Sequence, residues 1–268
     1  MEERELMRRS FLKNGWCRFP HDPILAEWVI QTLPSARAAV KAPENSGWLR
    51  CGGTWFAGVN VLKNDATGAV RGRTKLAGEA VDFIHTTLSL MGFSWDPAQV
   101  SVCYAGYPKP MASETDVAYR YRLKRDAAHL DGLLPEGPER RRHLREHHGF
   151  LLGIPMVQAS ADASPFVIWQ GSHEIIREAF RALFDGMAPE DWGDVDATEV
   201  YHSARRKIFD ACKRLEIAAR PGEAYLVHRL ALHGVAPWRL SAKAGPDGRM
   251  IAYFRPEIGG PADWLDAP

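Results

Sequence analysis

The sequence has few cysteines and no close pairing among them. Its four cysteines are scattered along 268 residues without a C-x-x-C pair, at Cys17, Cys51, Cys103 and Cys212. A disulfide framework needs several cysteines at short spacings, and a zinc ribbon or thioredoxin-like redox site needs C-x-x-C pairs. The sequence therefore supports none of these classes and predicts reduced thiols.

Long apolar runs and an excess of one charge are also missing. No stretch approaches the roughly 18 consecutive apolar residues that a membrane span requires. The 34 lysines and arginines nearly balance the 33 aspartates and glutamates, so no overall charge attracts nucleic acid or an anionic membrane. The first residues are charged and lack the apolar core of a secretory signal. We therefore expect a cytoplasmic protein whose partners do not include nucleic acid or a membrane.

The composition is that of a chain that folds. Hydrophobic residues make up 46% and charged residues 25%, which is typical of globular proteins. We expect one domain over residues 1–268, because a β-rich domain with added helices reaches this length. Within it, residues 1–98 are predicted to form N-terminal helices and supporting strands. Residues 99–256 are predicted to form the core, interrupted by a helical insert over 173–218.

Apolar patterning predicts helices early in the chain and strands later. Residues 2–13, 23–41 and 76–91 have helical patterns, with Gly92 as the expected C-cap of the third helix. Strands are predicted at 100–107, 118–123, 149–159, 165–169, 223–232 and 249–254, after earlier extended segments at 15–20 and 48–62. The fold class is therefore mainly β with flanking helices, and the strand spacing favours a barrel or a sandwich.

Two histidines and one aspartate form the most informative pattern. His129 and Asp131 are two residues apart, so in an extended segment their side chains point the same way. His233 ends a predicted apolar strand far downstream. Two histidines and one carboxylate on one face form the ligand set of non-haem Fe(II) oxygenases. Alone, the His-x-Asp pair is also compatible with a surface turn.

The last predicted strand carries an arginine that suits a carboxylate. Alternation along residues 249–254 and on to Arg255 places Arg249, Ile251 and Tyr253 on the same face as Arg255. An arginine in a largely apolar cavity near a metal can bind a carboxylate through two hydrogen bonds. A keto-acid would then fill two open metal positions and O2 the third.

Four elements, in this order, resemble the phytanoyl-CoA dioxygenase family of Fe(II)/2-oxoglutarate oxygenases. They are His129-Leu130-Asp131, the apolar-aromatic run from Ser164 to Gly171-Ser172-His173, the turn Pro221-Gly222-Glu223 before the strand to His233-Gly234, and Arg249. The match covers about residues 100 to 256. Gln170 stands where the family commonly has proline, and the interval from His233 to Arg249 is longer than usual.

The resemblance implies a complete site and a fold. His129, Asp131 and His233 would bind Fe(II), and Arg249 would bind the distal carboxylate of the cosubstrate 2-oxoglutarate, with O2 as the second cosubstrate. Arg239 and Arg255 remain alternative anchors. The implied fold is a double-stranded β-helix, a cupin-like jelly-roll barrel. Since halogenating relatives replace the carboxylate ligand with a small residue, Asp131 favours hydroxylation of a small molecule, with release of succinate and CO2.

Other features stay open between a functional and a structural interpretation. Gln158 either hydrogen-bonds cosubstrate or substrate, or is an ordinary barrel glutamine. The basic segment 139–148 either rims the pocket or is a solvated loop or short helix. The insert 173–218 is a lid, a dimer face or scaffolding, and His173 is predicted to be structural. The rival functions are a cupin-like metal-dependent isomerase or lyase, which does not need the Arg249 clamp, and a non-catalytic metal-binding barrel, which the presence of all three ligand types disfavours.

Overall fold

The fold is built on two antiparallel sheets. The computed structural model describes residues 2–112 and 114–268. The strands are β1 Trp16–Phe19, β2 Leu49–Arg50, β3 Trp55–Gly58, β4 Gln99–Cys103, β5 Leu133–Glu136, β6 Arg141–Leu144, β7 Phe150–Pro155, β8 Phe166–Trp169, β9 Arg214–Ile217, β10 Ala224–His228, β11 His233–Val235 and β12 Arg249–Phe254. A seven-stranded sheet has the order β1-β10-β7-β12-β4-β3-β2, and a three-stranded sheet has the order β11-β8-β9. A hairpin of β5 and β6 stands apart from both.

Helices flank the sheets, as the sequence predicted. They are α1 Glu2–Asn14, α2 Pro23–Lys41, α3 Glu79–Asp82, α4 Asp116–Lys124, α5 Ser172–Leu183, α6 Thr198–Ala211 and α7 Pro261–Asp266. Two 3₁₀ segments, Pro43–Trp48 and Pro189–Asp194, and a π-helical turn, Phe83–Thr87, join them. Helix α2 begins where predicted, because the Asp22 carboxylate accepts the amide of Ile24 at 2.8 Å and Pro23 occupies the first turn. Among the described residues, no helix is both long and apolar enough to cross a membrane.

The two faces of the seven-stranded sheet bury different cores. On β12, Met250, Ala252 and Phe254 pack with the N-terminal helices α1 and α2. The intervening residues face the three-stranded sheet, where Phe166 of β8 lies 4.9 Å from Tyr225 and 6.1 Å from Tyr253 between ring centroids. Residues of both sheets therefore share one buried cluster. The alternation read from the sequence of β12 is confirmed.

Several sequence predictions were wrong about local structure. Residues 223–232 do not form one strand that ends at His233, because β10 ends at His228 and His233 begins β11. Residues 118–123 lie in helix α4, whose N-cap Thr115 accepts the amide of Ala118, and form no strand. The helical segment predicted at 76–91 ends at Thr87, before Gly92, because Ser89 already has a positive φ of 56°. The insert 173–218 contains the expected helices, but its end, β9, pairs with β8 and belongs to the three-stranded sheet.

The basic segment 139–148 also differs from both predicted forms. Its centre is strand β6, paired with β5 directly after Asp131. Two of its four arginines have anionic partners: Arg141 lies 3.0 Å from Glu139, and Arg145 donates to Glu136 at 2.5 Å. Arg142 donates instead to the carbonyl of Leu133 at 3.1 Å. The segment is thus part of a hairpin, and none of residues 139–148 lines the cavity described below.

Phe254 is expected to be a major source of stability. Its side chain is fully buried, and its ring centroid lies 5.2 Å from that of Trp95 and 5.8 Å from that of Trp28. Phe254→Ala should lower the free energy of unfolding by about 3–5 kcal/mol, because a large cavity replaces these contacts. Leu240→Ala, at a fully exposed site, is the control and should change it by less than about 0.5 kcal/mol in urea denaturation. Equal effects of the two substitutions would contradict this packing.

Candidate metal centre

Two backbone hydrogen bonds hold His129 and His233 side by side. The amide of His129 donates to the carbonyl of His233 at 2.8 Å, and the amide of His233 donates to the carbonyl of His129 at 3.1 Å. Through this antiparallel bridge, His129 pairs with the edge strand β11 and adds one paired residue to the three-stranded sheet. It brings the two imidazole rings to a centroid distance of 4.6 Å, although the residues are far apart in the sequence.

Asp131 completes a cluster of three side chains with metal-binding atoms. Its Oδ1 lies 3.5 Å from Nε2 of His129, and its Oδ2 lies 3.6 Å from Nε2 of His233. The three candidate ligand atoms all lie within 4.8 Å of one another. Ligands about 2 Å from a shared ion are themselves about 3 Å apart, so small side-chain movements would let this cluster hold one divalent metal. The structure thus brings together the three residues that the sequence singled out.

The backbone fixes which nitrogen of each histidine faces the cluster. Nδ1 of His129 lies 3.0 Å from the carbonyl of Ala127, and Nδ1 of His233 lies 2.9 Å from the carbonyl of Ala231. A carbonyl only accepts hydrogen bonds, so in each neutral ring Nδ1 carries the proton. The lone pair of each Nε2 is therefore directed toward Asp131, the tautomer that a metal ligand requires.

The electrostatics favour the metal-binding protonation states of His233 and Asp131. Burial lowers the pKa of His233 to about 4, so its imidazole is neutral at physiological pH. Burial opposes ionisation of Asp131, but Arg255 and the two histidines outweigh it and hold the pKa of Asp131 well below its ordinary value. Nη1 of Arg255 lies 3.4 Å from Oδ2 of Asp131. Neutral imidazoles beside a carboxylate suit a divalent cation.

The loop before His129 is anchored to the three-stranded sheet. Arg214 of β9 donates two hydrogen bonds to the buried carboxylate of Asp126, at 2.7 and 2.8 Å. The backbone of Asp126 passes so close to Gly234 that any side chain at 234 would collide with its carbonyl. The glycine after His233 is therefore what allows this loop to approach and place His129.

A cavity of about 350 Å³ opens in front of the cluster. Its floor is formed by the three candidate ligands, and its walls come from β2, β3, β4, β5, β7, β8, β11 and β12 and from the residues beside them. The other lining residues are Trp48, Arg50, Trp55, Ala57, Val59, Gln99, Ser101, Leu134, Leu151, Phe166, Gly234, Val235, Tyr253 and Arg255. A cavity of this size and mixed lining fits a small molecule.

Arg249 lies deeper between the sheets, beside a separate cavity of about 20 Å³. Its guanidinium contacts Tyr225 and Tyr253, and the hydroxyl of Tyr225 donates to that of Tyr253 at 2.9 Å. Tyr253 also lines the larger cavity. Within the described residues, Nη1 of Arg249 is buried without a hydrogen-bond partner, and no carboxylate forms a salt bridge with this arginine. A buried cation without a counter-charge is energetically unfavourable, so an anion bound beside Arg249 would stabilise it.

Several other residues considered from the sequence lie outside the cluster. Gln158 follows the end of β7, is exposed, and lines neither cavity. Arg239 lies at the surface, 3.0 Å from Asp162 and 2.6 Å from Glu216. His173 is buried elsewhere, with Nε2 2.8 Å from the carbonyl of Leu12, which is the structural position expected for it.

Apart from Tyr253 and Arg255, the residues of the cavity wall were not predicted from the sequence. Trp48 and Arg50 belong to a short segment whose position depends on the pairing of β2 with β3 and of β3 with β4. Gln99 and Ser101 could have been identified from the sequence, because these polar residues alternate with Val100 and Val102 in a strand that is otherwise buried. Such alternation indicates that one face of the strand borders a polar site.

The chain resembles known proteins in structure and not in sequence. No family model matches it, and no protein of curated function matches its sequence significantly. Its structure is similar to the crystal structure of the non-heme alpha ketoglutarate dependent epimerase SnoN from nogalamycin biosynthesis, with a TM-score of 0.52 and 13% identity over 96% of this chain and 81% of that one. SnoN in complex with Fe3+, alpha ketoglutarate and nogalamycin RO gives a TM-score of 0.53 and 13% identity, over 96% and 84%. At this identity the similarity shows a shared fold.

The ion pair between Asp131 and Arg255 generates a stability prediction. Arg255→Met should lower the free energy of unfolding of the metal-free protein by about 3–5 kcal/mol at neutral pH, because it leaves a buried carboxylate unpaired. Asp131 has a lowered folded-state pKa, so this contribution is present at neutral pH and is lost as the pH falls through that pKa. Added Mn(II) should narrow the deficit, because the cation replaces the arginine as counter-charge.

Arg239→Met is the matched control for this prediction. It removes an arginine from a partly exposed surface pair, so urea denaturation should show a loss below about 1 kcal/mol that does not respond to Mn(II). If Arg255→Met were as mild as Arg239→Met, Arg255 would not hold the Asp131 carboxylate.

Proposed function

We propose that the protein is an Fe(II)- and 2-oxoglutarate-dependent dioxygenase that hydroxylates a small molecule. The observation that carries the proposal is the cluster of His129, Asp131 and His233 at the floor of a cavity. When bound there, iron and 2-oxoglutarate supply oxidation by O2 coupled to decarboxylation of the keto-acid to succinate and CO2. Residues of this chain bind and orient both, and they confine the reaction to one cavity.

The donor set fits iron. Two neutral imidazoles and one carboxylate form the facial ligand set of non-haem Fe(II) enzymes, and they leave coordination positions for other ligands. The carbonyls of Ala127 and Ala231 fix both rings, and Arg255 orients the carboxylate. Such support from neighbouring groups keeps the ligands in place before the metal arrives.

Arg249 fits the distal carboxylate of 2-oxoglutarate better than the alternative arginines do. It is 7% exposed and has no anionic partner among the described residues. Arg239 is engaged at the surface, and Arg255 already pairs with Asp131. We infer that the cosubstrate extends from the metal cluster, past Tyr253, to Arg249. A carboxylate there would satisfy the unpartnered Nη1.

The proposed architecture follows from the two packed sheets. We propose that the bridge between His129 and β11 completes a double-stranded β-helix, and that residues 1–268 form one domain of the phytanoyl-CoA dioxygenase type. The N-terminal part contributes β1, β2 and β3 to the seven-stranded sheet and helices to its outer face. A division at residue 98 would cut through this shared core.

Hydroxylation is our proposal for the outcome of the oxidation. Asp131 provides the carboxylate that halogenating relatives lack, so a halide has no vacant ligand position to take. SnoN, which is named as an epimerase, has a similar fold, and the fold alone therefore does not select the product. A cupin-like isomerase or lyase would have no use for the buried Arg249.

Arg249→Met should raise the KM for 2-oxoglutarate by about 100-fold, because it removes a buried charge pair with the cosubstrate. The measurement is succinate release from 2-oxoglutarate in the presence of Fe(II) and O2. Arg239→Met is the control and should leave the KM unchanged. A larger rise in KM for Arg255→Met than for Arg249→Met would identify Arg255 as the anchor. The absence of succinate from the wild-type protein would contradict the proposed function.

A further inference from the structure

One wall of the cavity carries two tryptophans and an arginine. Arg50 of β2 lies directly opposite Trp55 of β3 in the antiparallel register. Opposite residues in such a pair project from the same face, and Trp48 lies two residues before Arg50. All three side chains line the cavity in front of the metal cluster. These three side chains are therefore positioned to contact a molecule bound in the cavity.

The two tryptophans contribute mainly flat apolar surface to the wall. The indole nitrogen of Trp55 donates to the hydroxyl of Ser101 at 3.1 Å, so this donor is used within the protein. The remaining wall is largely aliphatic or aromatic, with Leu134, Leu151 and Val235 lining the same space. Indole rings favour planar ligands, which stack on them or meet their edges with a large contact area.

Arg50 is the cation of this wall without an anionic partner. Its guanidinium carbon lies 5.1 Å from the centroid of the Trp48 ring, and the side chain is exposed. Within the described residues it forms no salt bridge, whereas the other cavity arginine, Arg255, pairs with Asp131. The stacking holds the guanidinium at the mouth, where its donors remain available for an oxyanion.

Gln99 adds a neutral polar group to the same wall. It begins β4 and lines the cavity, and its side chain has no hydrogen-bond partner in the described part of the chain. A free amide both donates and accepts, so it can orient a polar substituent of a bound ligand. The wall therefore combines flat apolar surface with a single unpaired cation and a single free amide.

We propose that the substrate is a planar, largely apolar small molecule bearing one carboxylate or phosphate, which Arg50 binds while Trp48 and Trp55 contact the plane. This inference names the substrate class of the proposed oxygenase and therefore rests on the proposed function. It places the reacting carbon over the His129, Asp131 and His233 cluster, with the anionic group at the cavity mouth. The anion stays away from the buried Arg249, which the cosubstrate occupies.

The test compares probes that differ only in charge or in planarity. Protein saturated with Fe(II) and 2-oxoglutarate under anaerobic conditions is titrated with 2-naphthoate, 2-naphthyl phosphate, neutral 2-naphthamide and non-planar decahydro-2-naphthoate, and binding is measured by calorimetry. At least one anionic naphthyl probe should bind about tenfold more tightly than the amide, because of its ion pair with Arg50. The decahydro acid should bind about tenfold more weakly than naphthoate, because it cannot lie flat on the indoles.

Variants assign each preference to its residue. Arg50→Gln should bring the ratio between anion and amide to near one and leave the affinity for the amide unchanged. Trp48→Leu should weaken naphthoate and naphthamide alike. Arg206→Gln removes an exposed arginine of α6 that lines no part of this cavity, and it should leave every affinity unchanged.

Three results would overturn the inference: equal affinity for the anionic and neutral probes, an unchanged ratio in Arg50→Gln, or no binding of any probe at millimolar concentration. The visible absorption of the complex between Fe(II) and 2-oxoglutarate, read in the same samples, separates the two proposals. If that absorption is present but all probes bind with equal affinity, only the proposed substrate class is contradicted. If the absorption is absent, the proposed function fails and this inference falls with it.

Discussion

The reciprocal backbone pairing of His129 with His233 is the constraint on which the candidate site depends. It joins a loop to the edge of the three-stranded sheet and brings together two imidazoles that are far apart in the sequence. Asp131 follows His129 at the spacing that returns a side chain to the same face. Arg214, Asp126 and Gly234 maintain the approach of the loop. Sheet pairing and the spacing of Asp131 therefore bring the three side chains of the site together.

Three arginines lie around this site, and they differ in whether an anion is paired with them. Asp131 is paired with Arg255 at the cluster, whereas Arg249 lies deeper and has no anion among the described residues. Arg50 lies at the cavity mouth and is also unmatched. A divalent metal, a dicarboxylate that reaches Arg249 and an anionic substrate at Arg50 would together complement this pattern. Under the proposed function each cation would have a separate role, so that cosubstrate and substrate would not compete for one arginine.

The sequence predicted the parts of the site that depend on local spacing or on motif. His129, Asp131, His233 and the inward face of β12 follow from alternation and from a family resemblance. Residues 118–123 were predicted as one of several short strands, but they lie in helix α4, which Thr115 caps. Gln158 was expected on a strand that continued to residue 159. Because β7 ends at Pro155, Gln158 lies beyond the strand and away from the site. Arg50 was missed because its position depends on the pairing of three strands.

Anaerobic titration of the metal-free protein with Fe(II) and then 2-oxoglutarate tests the central claim most directly. The account predicts a visible metal-to-ligand charge-transfer band in the wild type. The band should persist in Gln158→Ala, which changes an exposed residue outside both cavities, and should be lost in His233→Ala. A wild-type protein that binds Fe(II) but shows no band at saturating 2-oxoglutarate would contradict the account and favour a metal-binding barrel with different chemistry.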